Sequence, residues 1–541
     1  MTAPALIPFT EALGFSRLFQ DFTYRPDTTA PLFGTATPAD AAAALGRRDY
    51  RRSALIDILH RQNHSWGAPE AVDEVIRKLA DPKAVAVVTA HQACLFGGPY
   101  MILLKALAAE AWARRLEKQL AVPVTPIFWI AGDDHDFKET AVVDLFDRQG
   151  RPARLALDWD DSRLYSPVGR LTYDQSIARE TAKLRELLPD NDFKTKALEP
   201  IERAYRKGDT PVDCFARYLH HLIGRLGIVL FNPHDESAKR PAAPLMQEII
   251  RRRRDVGKVL STTETALTAA GYHIQVRKAS DAAHLFYHAP GRTAIHYQGN
   301  DCRVGEKIIP EQELLKAIEA APNDFSPDVI TRPLVQSHLF PTVAVVGGPA
   351  EVAYYAQLMP LFDLFALVPP RVLPRPSMTL VEGRFEKLMS RSAIGFEEIA
   401  VRADEVVNRL MDESFPTDLD HRLKTLKDTV RGRMMELTAA LTSFDPQLRD
   451  TAARAGEKMD YLLNELEKKV FAAHKKKNAA DREKILQARD HLFPNRGLAE
   501  RSIAPVYFLS RYGPTVIETI RKNLPLEETG HRLLMLSEYY G

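Results

Sequence analysis

Two patterns of apolar and polar residues divide the chain near residue 400. Before that point, short β-branched and apolar runs alternate with polar or glycine-containing loops. Runs of this kind are typical of strands that a parallel sheet buries on both faces. After that point, apolar residues recur at helical spacing within a strongly charged sequence. The pattern predicts an α/β region followed by a helical region.

The predicted strands of the first region alternate with helices. Residues 84–89 read AVAVVT, and residues 100–118 have the length and spacing of a helix. Residues 124–131 (VTPIFWIA) form the next predicted strand, and 227–231 and 342–346 form two more. This alternation indicates a parallel sheet, whose ligands bind at the carboxyl ends of the strands. The segments 89–99 and 133–136 are therefore expected to form two walls of one active site.

The helical region contains two apolar seams at coiled-coil spacing. Between them, Ser443 to Pro446 ends in a proline suited to the first turn of a new helix. Two long helices joined by a short turn predict an antiparallel hairpin. We expect this arm to pair with a second subunit in a homodimer; the alternative is an ordinary helical subdomain. The seams are Leu423, Leu426, Val430, Met434, Leu437 and Leu441, then Met459, Leu463, Leu466, Val470 and Ala473.

These patterns divide the chain into three segments. Residues 1–385 form the predicted catalytic core, in which the less regular part, about 150–330, is interpreted as short strands and loops inserted on the sheet. Residues 386–494 form the helical arm. Residues 495–541 are expected to pack back on the core.

Composition narrows the class of protein. The 541 residues are 45% apolar and 27% charged, and a net charge of +2 provides no strong field toward nucleic acid or anionic lipid. No apolar stretch reaches roughly 18 residues, and no signal peptide is evident. The three cysteines are too widely spaced for a disulfide framework. We expect a cytoplasmic protein without nucleic-acid or membrane partners.

The segment after the first strand has the residue types of an anion-binding loop. Thr89 ends the strand, the candidate catalytic residues His91 and Gln92 lie just past it, and Gly97-Gly98-Pro99 precedes the helix. Glycines let backbone N–H groups approach an anion, and a helix N-terminus adds a positive end. The alternative is a loop whose glycines only allow a tight turn.

The segment after the second strand is more specific. Asp133, Asp134, His135 and Asp136 place three carboxylates and an imidazole directly after an apolar strand. Such a cluster is costly to bury without a function, and it can bind Mg²⁺, supply a general base or orient an amine. The alternative is a polar turn with an aspartate that caps a helix.

A third group repeats the strand, Gly-Gly-Pro turn and helix around residues 342–357. Two such turns indicate two lobes that face one crevice. Glu351 would lie in the first turn of a helix, where it either caps the helix or contacts an amine. Arg375, held between prolines, suits carboxylate or phosphate binding, or a structural ion pair. The candidate binding residues of this group are Arg332, Gln336, Gly347, Gly348, Glu351, Tyr354, Gln357 and Arg375.

Taken together, these segments resemble one known family, the BshC cysteine ligases of bacillithiol biosynthesis. The matching pieces occur in order across nearly the whole chain. They are TAHQACLFGGPYMILLKA (89–106), PIFWIAGDDHDFKE (126–139), GIVLFNPHD (227–235), GYHIQV (271–276), TRPLVQSHLFPTVAVVGGPAEVAYYAQL (331–358), VLPRPSMTL (372–380) and LFPNRGLAERSIAPVYFLSRYG (492–513). The family usually has an amide where this chain has His91.

The resemblance implies a Rossmann-like core with inserted connecting segments and a coiled-coil arm that dimerises. It implies that cysteine is joined to the amine of glucosaminyl-malate. Amide formation from a carboxylate is uphill, so we expect ATP as the activating cofactor, with Mg²⁺ as its companion ion. In this hypothesis Gly97 and Gly98 lie beside the nucleotide, and Asp134, His135 or Asp136 holds the attacking amine and accepts its proton. The alternatives are a metal-dependent hydrolase that uses residues 133–136 and a non-catalytic nucleotide-binding scaffold.

Overall fold

The computed structural model describes residues 6–34, 36–158, 165–288 and 291–540. The chain forms two compact units, one consisting of Pro4–Gly383 with Gly497–Gly541 and the other of Arg384–Arg496. Among the described residues, no helix is long and apolar enough to cross a membrane.

A five-stranded parallel sheet forms the centre of the larger unit. Its strands along the chain are β1 (Val85–His91), β2 (Val124–Ile130), β3 (Val229–Phe231), β4 (Thr342–Gly347) and β5 (Arg371–Pro374). In space they follow the order β5-β4-β1-β2-β3, so the strand order reverses between β1 and β4. Open parallel sheets bind ligands at such a reversal, outside the carboxyl ends of the strands.

Burial explains why these segments become strands. All seven residues of β2 and all six of β4 are buried, as their nearly continuous apolar sequences require. The four predicted strands and the helix predicted at 100–118 are confirmed, with boundaries that differ by one or two residues. The short strand β5 was not predicted, and the six helices between residues 176 and 320 correct the expectation of short strands and loops there. The expected fold class, a Rossmann-like parallel sheet with a helical hairpin, is confirmed.

Five helices of the larger unit contribute residues to its cavities or contact residues that line them. They are α1 (Arg52–Ser65), α2 (Met101–Leu120), α3 (Glu236–Arg251), α4 (Arg332–Leu339) and α5 (Pro349–Leu364). Its remaining helices are Arg17–Tyr24, Pro26–Phe33, Pro38–Leu45, Glu70–Arg77, Phe137–Thr140, Ser176–Leu187, Lys194–Ala204, Pro211–Ile223, Arg253–Ala269, Glu311–Ala320, Pro505–Tyr512, Thr515–Lys522 and Ser537–Tyr540.

Three smaller sheets accompany the core. A five-stranded antiparallel sheet has the spatial order Lys307–Ile309, Asp301–Val304, Thr293–Gln298, Ala282–Tyr287 and Phe325–Pro327. Val142–Phe146 pairs with Pro152–Ala156 in a hairpin. His531–Met535 lies between Leu6–Ile7 and Ser377–Val381, which joins the C-terminal segment to the larger unit.

The smaller unit is helical. Its two long helices, Thr417–Phe444 and Arg449–Lys477, form an antiparallel hairpin, and ion pairs such as Lys427–Glu467 and Arg431–Asp460 link them. The remaining helices around this hairpin are Gly383–Ser392, which begins in the larger unit, Phe396–Glu413 and Ala479–Leu492.

Only part of the predicted seams lies inside the hairpin. Leu423 is buried, whereas Leu426, Leu437, Met459 and Leu466 are between 43% and 49% exposed. A two-helix hairpin has one internal face, so the other apolar positions form a stripe on its surface.

Candidate functional site

A cavity of about 670 Å³ lies at the carboxyl ends of β1, β2 and β4. The segments after β1 and β2 meet there, as the position of the strand ends predicts, together with the amino-terminal turn of α5. Residues from the antiparallel sheet and its loops complete the wall. The lining residues are Ala90, His91, Gln92, Met101, Lys105, Trp129, Ala131, Asp133, Asp134, His135, Glu139, Lys278, Phe286, Arg292, Pro327, Asp328, Val329, Arg332, Gly348, Pro349, Ala350, Glu351, Tyr354, Arg375 and Arg501.

Asp133 anchors the wall of the cavity to helix α3. Its carboxylate accepts a hydrogen bond from Lys239 Nζ at 2.6 Å and lies 2.8 Å from His234 Nδ1, and all three residues are buried. Burial alone would raise the pKa of Asp133, but the charge of Lys239 and the hydrogen bond with His234 hold it well below its usual range. Asp133 is therefore a fixed anion whose oxygens are already engaged.

Asp134 belongs to a chain of polar contacts across the cavity. Gln92 Nε2 donates to Asp134 Oδ2 at 2.6 Å, and Arg292 lies 3.4 Å from the other carboxylate oxygen. Burial would raise the pKa of Asp134, but contacts with His135 and the charge of Arg292 outweigh it, so the pKa is lowered. Gln92 and Asp134, from the two predicted walls, are thus in direct contact.

Arg292 also determines which ring nitrogen of a neutral His135 carries the proton. Arg292 donates to His135 Nδ1 at 2.6 Å. A guanidinium group can only donate, so Nδ1 accepts and the proton of a neutral His135 lies on Nε2. The Nε2–H of a neutral His135 is therefore available as a hydrogen-bond donor.

Asp136 does not line the cavity. It is exposed and caps the short helix Phe137–Thr140, where its side chain accepts from the backbone N–H of Glu139 at 3.3 Å. The catalytic cluster predicted at 133–136 therefore contributes three residues to the cavity, and the fourth has the role of the capping alternative.

His91 lines the cavity from the end of β1. Its Nδ1 lies 3.3 Å from the carbonyl oxygen of Gln92, which can only accept, so Nδ1 donates and Nε2 carries the lone pair. Burial and the nearby ammonium group of Lys105 lower the pKa of His91 to about 3. The imidazole is neutral at neutral pH and is available as a hydrogen-bond acceptor.

The amino-terminal turn of α5 borders the cavity through Gly348 and Glu351. Glu351 accepts from the N–H of Gly348 at 2.8 Å, which caps the helix, and from Lys105 Nζ at 2.6 Å. Burial would raise the pKa of Glu351, but the charge of Lys105 lowers it overall. The structure shows the capping role considered for Glu351, and its other contact is with the side-chain ammonium group of Lys105.

Arg332 reaches the cavity from the first turn of α4. Its guanidinium donates to Gln336 Oε1 at 2.9 Å and to the hydroxyl of Tyr354 at 3.1 Å. Among the described residues no carboxylate forms an ion pair with it, and Trp129 lies beneath it at 5.9 Å. Gln336 itself is buried behind Arg332 and does not line the cavity.

Arg375 forms a buried ion pair at the edge of the cavity. It donates to Glu500 Oε1 at 2.7 Å and to the carbonyl of Pro376 at 2.8 Å. Glu500 also accepts from Ser377 and from the N–H of Met378, so this pair joins the C-terminal segment to the core. The structure thus gives Arg375 the ion pair considered as its alternative, while the neighbouring Arg501 lines the cavity and is exposed.

The predicted glycine loop does not border the cavity, which corrects its expected placement. The N–H of Gly97 donates to the Tyr205 hydroxyl at 3.0 Å, and that of Gly98 to the carbonyl of Leu95 at 2.9 Å. Both glycines have positive φ, and a Cβ on Gly97 would lie 2.8 Å from the Tyr218 ring. The loop is therefore a tight, buried turn, which is the alternative reading of the pattern.

Four other predicted residues also lie outside the cavity. Thr89 donates to the carbonyl of Val346 at 2.9 Å and joins β1 to β4. Gln357 is buried and holds the backbone of Val276 through both its amide oxygen and its amide nitrogen. Pro99 lies in the turn before α2 and Gly347 is the last residue of β4, and neither lines the cavity.

Several cavity residues carried no sequence prediction. Asp328 is buried and contacts His284 Nδ1 at 3.1 Å and Lys278 Nζ at 3.2 Å. His284 has a φ of 60°, where a strand residue other than glycine is strained, at a register shift between Ala282 and Phe286. Of these residues, only Lys105 could have been recognised in the sequence, because it is a single charged residue within the apolar first part of α2.

Comparisons with known proteins agree with the resemblance drawn from the sequence. The family model "Bacillithiol biosynthesis BshC, N-terminal Rossmann-like domain" matches residues 5–376, and "Bacillithiol biosynthesis BshC, C-terminal coiled-coil domain" matches residues 378–536. Proteins named "Putative cysteine ligase BshC" from Salinibacter ruber and Koribacter versatilis are 32% and 31% identical to this chain. The alignments cover 97% and 96% of this chain and 97% of each relative. The chain belongs to the BshC family of bacillithiol biosynthesis.

Proposed function

We propose that this chain is a ligase that joins the carboxyl group of cysteine to the amine of glucosaminyl-malate, with ATP as the co-substrate that activates the carboxylate. The names of its relatives support a cysteine ligase. The observation that carries the proposal is a cavity at the reversal of the sheet in which Arg332 and Arg501 have no ion-pair partner among the described residues.

Unpaired guanidinium groups suit the carboxylates of these substrates. Arg332 uses two N–H groups on Gln336 and Tyr354, which hold its plane, and the remaining donors are available to a ligand. Planar bidentate contacts with a carboxylate are among the strongest charge-assisted hydrogen bonds. We assign a malyl or cysteinyl carboxylate to Arg332 and a second carboxylate to Arg501.

The attacking amine would be held between the two walls. The Nε2 lone pair of His91 and the carboxylate of Asp134 accept hydrogen bonds, whereas the Nε2–H of His135 donates one. The low pKa of His91 makes it a weak base, so its role is to orient the amine. His135 is placed to stabilise negative charge that develops on the reacting carbonyl oxygen.

ATP would enter with its phosphates near the amino terminus of α5 and Lys105. Glu351 already engages Lys105 and the N–H of Gly348 there, so the phosphates would meet the remaining backbone N–H groups of the first turn. Of the five carboxylates that line the cavity, Asp133, Asp134, Glu351 and Asp328 are each already in contact with a cationic side chain, which leaves only Glu139 without such a contact among the described residues. Among the described residues no group of three metal-ligating side chains occurs. Mg²⁺ is therefore assigned to the nucleotide, and the donor set does not favour the metal-dependent hydrolase.

The test is the reaction itself with purified full-length protein, cysteine, glucosaminyl-malate and MgATP. Mass spectrometry would detect the amide product, and the nucleotide product distinguishes the intermediate, because ADP indicates an acyl phosphate and AMP an acyl adenylate. Product formation that requires ATP is expected. Absence of product under conditions in which the protein binds both substrates would overturn the proposal.

We also propose that the chain forms a homodimer through the helical hairpin. The surface stripe of Leu426, Leu437, Met459 and Leu466 supports this, because exposed apolar stripes on long helices usually mark an interface. Sedimentation should show a dimer for the natural chain and a monomer for a Leu426→Glu, Leu466→Glu variant. Arg433→Glu, at an exposed position with only a surface ion pair, is the matched control and should remain dimeric. A monomeric natural chain at micromolar concentration would contradict the assignment.

A further inference from the structure

The attacking amine of the proposed reaction must lose a proton as the amide bond forms, and the groups that would hold this amine are poor proton acceptors. Burial would raise the pKa of Asp134, but its contacts with His135 and the charge of Arg292 lower it. Burial lowers the pKa of His91 to about 3, which makes it a weak base. Arg292 donates to Nδ1 of His135 and so occupies its acceptor nitrogen. The acceptor of the proton must therefore be another group of the cavity wall.

Three other carboxylates of the cavity wall are held by ammonium groups. Burial would raise the pKa of each of them, but contacts with neighbouring basic side chains lower it overall. A carboxylate stabilised in this way binds a proton only weakly at neutral pH. The pairs are Asp133 with Lys239, Glu351 with Lys105 and Asp328 with Lys278, at nitrogen-to-oxygen distances of 2.6, 2.6 and 3.2 Å.

Glu139 is the fifth carboxylate of the cavity wall and differs from the other four. It lies in the short helix Phe137–Thr140, directly after the segment 133–136. It is exposed, and it forms no ion pair among the described residues. Burial of its carboxyl group and the negative charge of Asp136 raise the pKa of Glu139 above its ordinary value. A carboxylate with a raised pKa is a stronger base, which suits proton transfer near neutral pH.

The ionisable groups around Glu139 come from three parts of the chain. In its own segment, the charge of Asp134 adds to that of Asp136 in raising the pKa of Glu139. Arg501, from the C-terminal segment, opposes this rise. A substrate carboxylate bound to Arg501 would offset the charge of this arginine. Cys94, in the segment after β1, is a buried thiol whose pKa is raised by burial and then by the charge of Glu139. Glu139 therefore lies where both walls and the C-terminal segment meet.

We propose that Glu139 is the general base of the ligase reaction and accepts the proton that the amine nitrogen loses. This inference rests on the proposed function. A bond forms between the amine nitrogen and the activated carbonyl carbon, and the bond from that carbon to the oxygen of phosphate or AMP breaks, with its electron pair leaving on the oxygen. The proton passes from the nitrogen to a carboxylate oxygen of Glu139. Because Glu139 is exposed, solvent can then remove the proton and regenerate the base.

Rapid-quench kinetics with the full-length protein, cysteine, glucosaminyl-malate and MgATP separate activation from proton transfer. Glu139→Gln preserves the shape of the side chain and removes its basicity. In the first turnover, ATP cleavage should keep its natural rate, whereas amide formation should slow about 100-fold or more, as the contribution of a general base requires. Glu306→Gln is the matched control, at an exposed position that does not line this cavity, and should leave both rates unchanged.

Chemical rescue gives a readout that a merely structural role would not move. Glu139→Ala leaves space for formate, so added formate should restore amide formation with saturation, and it should have no such effect on Glu139→Gln. Thermal melts check that each variant is folded.

The possible results separate this assignment from the proposed function. The assignment alone is overturned if the natural chain forms the amide and Glu139→Gln forms it at the same rate. It is also overturned if Glu139→Gln loses ATP cleavage as well, or if formate does not restore amide formation in Glu139→Ala. If the natural chain binds both substrates and forms no amide, the proposed function and this assignment are both wrong.

Discussion

The buried contact between Asp133 and Lys239 offers a direct test of how the wall of the catalytic cavity is held. In a Lys239→Met variant, the Asp133 carboxylate loses a donor at 2.6 Å, and the carbonyl of Phe325 loses one at 2.8 Å. Lys239 and Asp133 are 2% and 8% exposed, so water does not replace the lost ammonium group. Removing one partner of a buried pair typically costs about 3–5 kcal/mol.

The expected loss can be expressed as a melting temperature. The larger unit contains about 425 residues, which corresponds to an unfolding entropy of about 0.9 kcal/mol/K. A cost of about 4 kcal/mol then lowers the melting temperature of this unit by about 4–5 °C. Differential scanning calorimetry separates this transition from that of the helical unit.

Two further variants test whether the unpaired Asp133 charge causes the loss of stability. Asp133→Asn, Lys239→Met removes the uncompensated charge as well, so it should recover at least half of the loss. Arg240→Met, at the next position of α3, breaks only an exposed ion pair with Glu236 and should change the free energy of unfolding by less than about 0.5 kcal/mol. If Lys239→Met melts with the natural chain, or if the double variant is less stable than Lys239→Met, the buried charge does not organise this wall.

Variants of the cavity and changes of pH provide the remaining predictions. Arg332→Gln should raise the KM for the carboxylate substrate about 10- to 100-fold with a smaller effect on kcat, and an unchanged KM in steady-state kinetics would exclude the assigned contact. Asp134→Asn should lower kcat by about tenfold or more. Asp136→Asn, which still caps its helix, should keep kcat within about twofold of the natural value, and an equal loss of kcat in both variants would indicate that Asp136 is catalytic. Burial lowers the pKa of His220 to about 3 and of His531 to about 4, so the unfolded chain, with an ordinary histidine pKa near 6.5, binds protons first. Stability should therefore be complete above about pH 6.5 and fall by about 2 kcal/mol per histidine by pH 5; equal melting temperatures at pH 7 and pH 5 would contradict this.

The amino-acid sequence by itself determined four strands of the parallel sheet, the helix after the first of them and the helical hairpin, but not the helices of residues 150–330. Parallel strands such as β2 are buried on both faces and therefore must be apolar throughout. They can be recognised from their own sequence, without knowledge of the strands they pair with. The long helices are visible because their apolar residues repeat at a fixed spacing. The position of the larger cavity also followed from the sequence, since parallel strands place their carboxyl ends at one edge of the sheet.

Only the tertiary structure decided which residues face the cavity. Asp133, Asp134 and Asp136 are near neighbours in sequence, yet they contact Lys239, Gln92 and a local helix terminus respectively. The glycine turn looked like an anion loop because its packing partner, Tyr205, lies 108 positions away. Side-chain direction after a strand depends on partners that are distant in sequence, and no local pattern encodes them. Arg292 and Asp328 lie in irregular segments of the chain. For the same physical reason, their position in the cavity wall could not be predicted from the sequence.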